Sequence, residues 1–407
     1  MGQYRLGNAL LCAIIAGGIL RKGQDKEGGM AGKLFEVLFE DATTGARAGV
    51  LHLPHGDVPT PVFMPVGTKG CVKAASKEEL EQIGFRLILA NTYHLHLRPG
   101  EELVKEAGGL HGFTGWRANF LTDSGGFQAW SLSRIRKLTS DGIAFQSIID
   151  GSRHIFTPEG VVRMQAMFSS DIQMQLDVCT GWGAAQDEAE RALSLTSSWA
   201  VRALDEWRRV QAEGYQGELF PIVQGNFFDE LRARSAQFVD SLGTQGVAIG
   251  GLSVGESADV FHQTLGLVVR HLDERKVRYV MGVGTPEYIL SSCGLGVDMF
   301  DCVLPTRLAR HGVYLTRRGR LSVKQKRFEH DFTPIDTSCG CKVCRTYSRA
   351  YLRHLFRENE ILSAMLATYH NLYFMHAMME EARSSIEEGT FGVWRENFLR
   401  EFQSDAF

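Results

Sequence analysis

The sequence carries no strong net charge and no long hydrophobic run. Its 44 Lys and Arg residues nearly balance 47 Asp and Glu residues, which gives a formal net charge of −3. A nucleic-acid partner therefore cannot be held by the field of the whole chain and would need a local basic patch. The apolar run at residues 9–20 is too short to span a bilayer, so we expect no membrane-spanning segment.

The eight cysteines do not form the pattern of a disulfide framework. Five are isolated along the chain, whereas Cys339, Cys341 and Cys344 fall within six residues. Disulfide-rich domains are short secreted chains with cysteines spread throughout. Three thiols so close together, in a chain with no clear export signal, indicate metal ligands in a reducing cytoplasm.

Together with His370, these cysteines form the pattern C-x-C-x₂-C-x₂₅-H. Three thiolates on a turn and one distant histidine complete a closed tetrahedral zinc site of the structural kind. The alternative is three buried thiols and an unrelated histidine. His354 and His376 also lie nearby, so the spacing leaves open which histidine completes the site.

The remaining composition is that of a globular protein with one large domain. Of the 407 residues, 44% are hydrophobic and 22% charged, which allows a sizeable core. The 44 glycines favour tight loops and hence an active site built from loops. We interpret residues 1–29 as an extension outside the fold and residues 30–407 as a single catalytic domain, with a zinc-binding subdomain around residues 325–375.

Short apolar runs alternate with amphipathic segments over most of the chain, and this alternation predicts parallel strands covered by outer helices. Helical periodicity is clear at residues 187–211 and 258–272 and dominates residues 347–403. The alternating pattern of residues 33–64 predicts an antiparallel cap, and we place a weak eighth strand at residues 319–323. The seven clear strand candidates are residues 86–90, 120–122, 171–176, 219–223, 246–249, 278–281 and 298–303.

Polar or glycine residues stand at the carboxyl ends of these runs, which is where (β/α)₈ barrels place their active sites. The sequence therefore predicts an α/β fold, a (β/α)₈ TIM barrel with an N-terminal antiparallel cap and a zinc-binding insertion near the C-terminal end of the barrel. The residues at the strand ends are Asn91, Asp123, Asp177, Gln224, Gly251, Gly282 and Asp301.

Two of these carboxylates are candidates for catalysis. Asp123 opens a glycine-rich loop, although an aspartate there could equally be a helix N-cap. Asp301 interrupts an apolar strand, so it must be functional or paired. Strand alternation puts Asp298 and Asp301 on opposite faces. Two carboxylates at a barrel mouth suit acid–base chemistry, or a nucleophile with an acid–base partner.

Two further features each allow more than one interpretation. The H-x-H motif of His94 and His96 would fit a metal-dependent barrel hydrolase. Residues 301–330 hold eight basic and two acidic side chains, a local charge of +6 that is either a solvated face or a nucleic-acid contact. The basic residues are Arg307, Arg310, Arg317, Arg318, Arg320, Lys324, Lys326 and Arg327.

Taken together, six motifs in one order resemble the tRNA-guanine transglycosylase family, and the cysteine pattern matches that family's zinc site. The resemblance extends from about Lys33 to the C-terminus and leaves residues 1–29 outside it. The motifs are Asn91-Thr-Tyr-His-Leu, Thr122-Asp-Ser-Gly-Gly-Phe-Gln128, Gln224-Gly225, Gly250-Gly-Leu-Ser-Val-Gly-Glu256, Met281-Gly-Val-Gly-Thr-Pro286 and Asp298-Met-Phe-Asp-Cys-Val-Leu-Pro-Thr-Arg307.

The resemblance implies an enzyme that cleaves the glycosidic bond of guanine at the wobble position of GUN anticodons and inserts a 7-deazaguanine. Asp301 would attack the ribose and form a covalent intermediate, and Asp123 would be its acid–base partner. One structural zinc per chain would be held by Cys339, Cys341, Cys344 and His370. The resemblance also implies a cytoplasmic homodimer.

The resemblance likewise assigns a base pocket and a tRNA contact. Phe127 and Met281 would sandwich the base, and Arg307 and Arg310 would hold anticodon phosphates and sugars, with the basic run extending that track. The edges of the base would be read by Ser124, Asp177, Gln224, Gly251 and Leu252.

This chain departs from the bacterial pattern beside that pocket. Bacterial members usually carry Asp-Glu-Cys-Thr where it has Asp177-Val-Cys-Thr180, followed by an unusual Gly181-Trp-Gly183. Cys179 and Val254 match residues that narrow the pocket, so we expect the aminomethyl base preQ1 as substrate, with queuine as the alternative. A barrel that only binds, as the inactive subunit of a heteromeric enzyme, is a further alternative, against which the presence of both Asp123 and Asp301 argues.

Overall fold

The computed structural model describes residues 33–132 and 136–404. The predicted extension, residues 1–29, lies outside the described residues. None of the helices in the described part of the chain combines the length and the apolar character needed to cross a membrane.

The strands fall into one barrel, an N-terminal antiparallel sheet, a three-stranded insertion and a late hairpin. They are β1 Phe35–Glu40, β2 Arg47–Leu51, β3 Val58–Thr60, β4 Val62–Pro65, β5 Leu87–Asn91, β6 Asn119–Asp123, β7 Arg136–Leu138, β8 Ile143–Gln146, β9 Arg153–Phe156, β10 Ile172–Met174, β11 Glu218–Phe220, β12 Ile222–Val223, β13 Gly246–Ile249, β14 Val277–Val280, β15 Met299–Cys302, β16 Val313–Thr316 and β17 Gly319–Ser322.

The helices alternate with the barrel strands and continue to the C-terminus, with a short 3₁₀ turn at Lys326–Phe328. They are α1 Lys77–Ile83, α2 Thr92–Leu97, α3 Glu101–Glu106, α4 Gly109–Thr114, α5 Gly126–Leu132, α6 Pro158–Met167, α7 Gln186–Ala212, α8 Asp229–Ser241, α9 Ala258–Val269, α10 Pro286–Cys293, α11 Leu304–Arg310, α12 Lys342–Thr346, α13 Arg349–Arg357, α14 Ile361–Glu387 and α15 Phe391–Phe402.

Parallel pairing runs around a closed ring, which confirms the predicted TIM barrel. The order is β4, β5, β6, β10, β11 with β12, β13, β14 and β15. Pro221 separates β11 from β12 because proline has no N–H for the ladder. The ring closes where β15 pairs with β4 and where Val66 bridges Leu89 of β5.

The first strand of the barrel is β4, and the prediction of an eighth strand at residues 319–323 is wrong. Residues 319–322 instead form β17, which pairs antiparallel with β16 in a hairpin outside the ring. The antiparallel cap is confirmed as β1, β2 and β3 but ends before Val62. A four-residue apolar run directly after alternating strands has no periodicity of its own to separate it from the cap.

Side chains fill the interior of the barrel, so a ligand can enter only at a rim. The inward residues come from every strand of the ring and are almost completely buried. They include Met64, Leu87, Leu89, Leu121, Ile172, Met174, Phe220, Ile222, Ala248, Val277, Tyr279 and Met299.

Two insertions distinguish this barrel. Strands β7, β8 and β9 form an antiparallel sheet between α5 and α6, which we call the β7–β9 sheet. The three predicted zinc-binding cysteines lie between β17 and α14, and His370 lies within α14, which packs against α11 and β4 as an outer helix of the barrel. The predicted helical character of residues 347–403 is confirmed by α13, α14 and α15.

The N-terminal end of the barrel is closed by the loop between β2 and β3. The buried Asp171 accepts hydrogen bonds from Phe120 N at 2.7 Å and from His55 Nδ1 at 2.6 Å, and His111 Nε2 lies 3.3 Å from it. The rings of His55 and His111 stack with centroids 3.5 Å apart. A metal ion lies in the ring plane of an imidazole ligand, so two stacked rings do not share one ion readily. This cluster fits a closure rather than a metal site.

A buried ion pair joins the cap to the barrel. Arg47 of β2 donates from Nε to Asp298 Oδ1 at 2.9 Å and from an Nη to Oδ2 at 2.6 Å, and both side chains are at least 96% buried. Arg278 N also donates to Asp298 Oδ2, at 2.7 Å. Asp298 is therefore a paired structural residue.

We predict that Asp298→Asn destabilises the fold by about 3–5 kcal/mol, because it leaves the Arg47 guanidinium buried without a counter-charge. Urea denaturation measures this change. Asp187→Asn is the control, since it removes an exposed pair with Arg191 on α7 and should leave the midpoint unchanged. Equal midpoints for Asp298→Asn and the parent chain would contradict the prediction.

Candidate active site

The predicted site residues converge at the C-terminal rim of the barrel. Asp123 is the last residue of β6, and Asp301 lies in β15, the last strand of the ring. The residues that follow β10, β12, β13 and β14 surround them. The electrostatic influence of Asp301 on the pKa of Asp123 indicates that the two carboxylates are neighbours.

Asp123 is held at the N-terminus of α2. Its Oδ1 accepts a hydrogen bond from Thr92 N at 2.9 Å, and its Oδ2 accepts one from the side-chain amide of Asn91. Asn91 also caps the helix, since its Oδ1 accepts from His94 N at 3.1 Å. Burial, with a further contribution from Asp301, raises the pKa of Asp123 to about 7. A carboxyl group with that pKa can hold and release a proton near neutral pH.

Asp301 presents one carboxylate oxygen to the site. Tyr279 Oη and Gly282 N donate to its Oδ1 at 2.6 and 2.7 Å. No group among residues 33–132 and 136–404 donates to Oδ2, so this oxygen is available to a ligand. Burial raises the pKa of Asp301, whereas these two hydrogen bonds favour its ionised form. The role of Tyr279 in the site could not be predicted from the sequence, because a tyrosine in an apolar strand such as β14 is usually a core residue.

Asp177 and Gln224 form a polar pair on the part of the rim that follows β10 and β12. Gln224 donates from Nε2 to Asp177 Oδ2 at 2.7 Å, and its own backbone N–H donates to Ser235 at 3.0 Å. Burial raises the pKa of Asp177 to about 6. Gly251 adjoins the pair with φ of +66°, and a Cβ there would lie 2.5 Å from Gln224 Oε1. Only glycine lets this backbone approach so closely.

Arg232 of α8 supports this part of the rim from below, and the sequence analysis did not find it. Its fully buried guanidinium donates to the carbonyl oxygens of Gly250 at 2.8 Å, Gly251 at 3.0 Å and Asn226 at 2.5 Å. Burial lowers its pKa to about 10. These bonds fix the loop after β13 through its carbonyl groups.

The remaining predicted pocket residues differ in exposure. Ser124 and Leu252 are buried, Met281 is partly buried, and Phe127 on α5 leaves 57% of its surface exposed at the mouth. Phe127 lines a narrow recess to which the β7–β9 sheet contributes two residues that were not predicted. The recess is lined by Gly126, Phe127, Leu138, Ile143, Asp177, Val178 and Cys179.

The unusual residues after Asp177 have a structural explanation. Val178 is partly buried and packs against an apolar cluster that includes Leu176 and Trp199, which suits an aliphatic side chain. Asn226 ties the following loop by donating to Thr180 Oγ1 at 2.8 Å and Gly181 O at 2.9 Å. The loop is therefore anchored at its base.

The basic run is not one continuous surface. Arg307 on α11 is exposed, and Arg310 is partly buried and donates to Thr306 O at 2.9 Å. Burial and the neighbouring Arg307 lower the pKa of Arg310. Arg317 instead forms salt bridges with Glu381 and Glu401. Arg317 therefore faces the C-terminal helices and does not extend the predicted tRNA contact of Arg307 and Arg310.

The three clustered cysteines and His370 come together as the sequence predicts. The Sγ atoms of Cys339, Cys341 and Cys344 lie 4.0, 3.4 and 3.3 Å from His370 Nδ1. Sulfur and nitrogen ligands of one tetrahedral zinc ion are about 3.5 Å apart. His370 Nε2 contacts Leu315 O at 2.7 Å, which orients the ring. The four residues can hold a metal ion.

The other histidines do not support a catalytic metal. His376 faces Glu380 and Phe85 rather than the cysteines. His96 is hydrogen-bonded to Glu101 and His154, and within the described residues neither His94 nor His96 belongs to a group of metal-suited side chains. The interpretation as a metal-dependent hydrolase therefore loses its sequence basis.

Comparison with known proteins gives one consistent result. The family model described as Queuine tRNA-ribosyltransferase matches residues 41–404. A protein of that name from Treponema denticola is 52% identical over 91% of this chain and 98% of its own length. Proteins with the same name from Pelotomaculum thermopropionicum and Borrelia hermsii are 49% and 48% identical, over 91% and 92% of this chain and 99% and 100% of their own lengths.

We predict that Asp301→Asn lowers the pKa of Asp123 from about 7 while leaving it above 3.8. The variant removes a neighbouring negative charge, but burial is the larger cause and persists. Carbon-13 NMR of labelled aspartate carboxyls measures the titration. Asp205→Asn on the exposed face of α7 is the control. A pKa of Asp123 that rose or stayed constant in Asp301→Asn would refute the coupling.

Proposed function

The chain belongs to the queuine tRNA-ribosyltransferase family, and we propose that it exchanges guanine at the wobble position of GUN anticodons, those of the tRNAs for Asp, Asn, His and Tyr, for a 7-deazaguanine base. It is then a tRNA-guanine transglycosylase, a pentosyltransferase of queuosine biosynthesis. The observation that carries this assignment is the pair of unlike carboxylates at the barrel mouth. Asp301 has one oxygen without a donor, and Asp123 titrates near neutral pH.

These two residues support a double displacement. Asp301 Oδ2 attacks C1′ of the ribose, the glycosidic bond breaks, and Asp123 protonates the departing guanine. The ribose is then esterified to Asp301. The incoming base gives a proton back to Asp123 and attacks C1′, which restores the Asp301 carboxylate. The configuration at C1′ is retained because it is inverted twice.

The base is proposed to bind between Phe127 and Met281, with its edges facing the rim residues. Asp177 and Gln224 offer a carboxylate and an amide already aligned by their own hydrogen bond of 2.7 Å. The backbone of Gly251 and Leu252 and the side chain of Ser124 complete the set. A base removed from its stack needs an aromatic surface and matched polar groups, and the exposed ring of Phe127 supports this role.

The incoming base is proposed to be preQ1, with queuine as the alternative. Cys179 lines the recess beside Asp177, and Cys179 and Val254 both lie in loops that are anchored. Asn226 holds the loop after Thr180, and Glu256 accepts hydrogen bonds from Ser253 N and Val254 N at 2.5 and 2.8 Å. Anchored loops of this kind favour the compact base.

The tRNA is proposed to lie across α11, where Arg307 and Arg310 face its phosphates and sugars. The chain is proposed to form a homodimer, supported by apolar side chains exposed around the zinc-binding residues. A cytoplasmic location follows from the substrate. The exposed apolar side chains are Phe332, Tyr351, Ile361 and Leu362.

The metal held by the Cys339 cluster is proposed to be zinc, one ion per chain, in a structural role. The site uses three thiolates and one imidazole, which leaves no position for water or substrate. Its cysteines follow β17 and its histidine lies on α14, away from the strand ends that carry the carboxylates. Its contribution is to fold the insertion rather than to take part in the exchange.

We predict that Asp301→Asn abolishes incorporation of radiolabelled guanine into tRNA. The amide cannot form the ester, but it keeps the shape of the side chain. Binding of tRNA, measured by filter retention, should change little. Asp205→Asn serves as the control for handling and folding. Exchange by Asp301→Asn at near the parental rate would remove Asp301 from its role and with it the proposed mechanism.

We predict about one zinc ion per chain, and loss of stability in Cys341→Ser, because a closed thiolate site contributes folding free energy. Elemental analysis gives the stoichiometry and thermal melting gives the stability. Cys71→Ser changes an exposed thiol and is the control. A zinc-free chain with parental melting would contradict the prediction.

We predict that preQ1 is preferred over queuine by about tenfold to a hundredfold in kcat/KM, because one extra bulky group in a packed pocket costs about 1–3 kcal/mol. Competition between the two bases on one tRNA transcript decides the question. A clear advantage for queuine would overturn the assignment of the pocket and leave Asp301 and Asp123 in their roles.

A further inference from the structure

A chain of hydrogen bonds joins helix α2 to the β7–β9 sheet. His96 Nδ1 contacts Glu101 Oε2 at 2.8 Å, and His96 Nε2 contacts His154 Nδ1 at 2.9 Å. His154 Nε2 in turn contacts Ser152 Oγ at 2.7 Å. Both ring nitrogens of each histidine therefore have a partner, and none of these contacts belongs to the proposed reaction.

The contact between the two rings requires a single shared proton. A hydrogen bond between two imidazole nitrogens forms only when one carries hydrogen and the other offers its lone pair. If both His96 and His154 become doubly protonated, two N–H groups and two positive charges face each other across 2.9 Å. The contact then becomes repulsive. The link between α2 and the β7–β9 sheet therefore depends on the protonation of this pair.

His96 and His154 also lie next to Phe156, the residue that supports the loop after Asp123. His154 and Phe156 share one face of β9, and the ring centroids of His96 and Phe156 are 5.3 Å apart. Phe156 is fully buried, and a Cβ on Gly125 would lie 2.9 Å from its Cε2 atom. The Gly125 N–H is one of the groups that stabilise the Asp123 carboxylate. Phe156 thus lies directly beneath the loop that positions Asp123.

We propose that His96 and His154 are positioning residues, whose shared hydrogen bond seats the β7–β9 sheet under the Asp123 loop and is lost when both rings are protonated. The sheet also carries Leu138 and Ile143 into the recess beside Phe127. A loosened sheet would therefore disturb both the acid–base residue and one wall of the base pocket. The part of this inference that concerns catalysis rests on the proposed function.

The charges around the pair set the pH range of this effect. Burial and the neighbouring His96 lower the pKa of His154 from 6.5, while Asp150 and Glu101 oppose that shift. A histidine with a lowered pKa binds fewer protons in the folded chain than in the unfolded chain. The contact persists while His154 is neutral, so the contribution of the link is complete above about pH 6.5 and can be lost only as the pH falls through the folded pKa of His154.

The test compares His96→Leu, His154→Leu and the double variant with the parent at pH values from 5 to 8. At pH 8 each single variant should lose about tenfold in kcat, with KM for tRNA changed less than about twofold, as expected for a loop that is misplaced but still able to bind. The double variant should be no slower than either single one, because both changes break the same contact.

The ratio of variant to parental kcat is the readout that separates this role from a general loss of structure. It should rise toward one as the pH falls below the folded pKa of His154, because the parent then loses the same hydrogen bond. Because the variants also displace the Asp123 loop, the titration of Asp123 is measured by carbon-13 NMR in parent and variant, and its effect on the ratio is subtracted. His262→Leu is the matched control, since His262 on α9 also has a lowered pKa and a hydrogen bond, at 2.6 Å to Ser291.

His96→Gln keeps an amide donor toward His154 and should restore most of the activity at pH 8. A ratio that does not vary with pH, losses that add in the double variant, or single variants with parental kcat would each overturn the proposal. Amide hydrogen exchange of residues 143–146, 153–156 and 124–126 without substrate gives an independent measure. Faster amide hydrogen exchange in His154→Leu would support the link even if the parent chain had no base-exchange activity. Unchanged amide hydrogen exchange would overturn it.

Discussion

Two neighbouring carboxylates have to be kept inside the mouth of a filled barrel, and much of the surrounding structure serves that requirement. Burial raises the pKa of Asp123 and of Asp301, and each negative charge makes the other less favourable. Among the described residues, directed hydrogen bonds rather than cations stabilise the two carboxylates. Asp123 accepts a hydrogen bond from Thr92 N, the first amide of α2. Asp301 accepts hydrogen bonds from Tyr279 Oη and Gly282 N. The carboxylates thus stay titratable and reactive.

Asp298 shows what the same chain does with a carboxylate that must stay inert. It lies three residues before Asp301, is completely buried, and is neutralised by the bidentate contact with Arg47. Strand alternation sends these two side chains to opposite faces, so one ties the cap to the barrel and the other opens to the rim. Among residues 33–132 and 136–404 no cationic side chain pairs with Asp301, and this, more than burial, distinguishes it from Asp298.

The sequence was sufficient for the parts of the fold that have a period or a fixed spacing. The barrel, the helices α7 and α9 and the four-residue metal cluster all followed from such patterns, and the cysteine spacing needed only the structure to select His370. The strand β4 was missed because four apolar residues have no period of their own. Tyr279 and Arg232 were missed for another reason. A tyrosine in a strand and an arginine on a helix look ordinary until the fold brings a carboxylate or three carbonyl groups to them.

The β7–β9 sheet shows why the wall of a pocket is harder to predict than its polar centre. Asp123 and Asp177 are marked by their position at strand ends, whereas Leu138 and Ile143 reach the recess only through an insertion whose docking depends on side-chain contacts. That docking uses His96, one of the residues that had suggested a metal site. Its two ring nitrogens are committed to Glu101 and His154, so the same H-x-H motif that fits a metal in sequence acts in the structure as a hydrogen-bonded support. Whether such a histidine is a metal ligand or a hydrogen-bonded support depends on the partners of its ring nitrogens rather than on its spacing in the sequence.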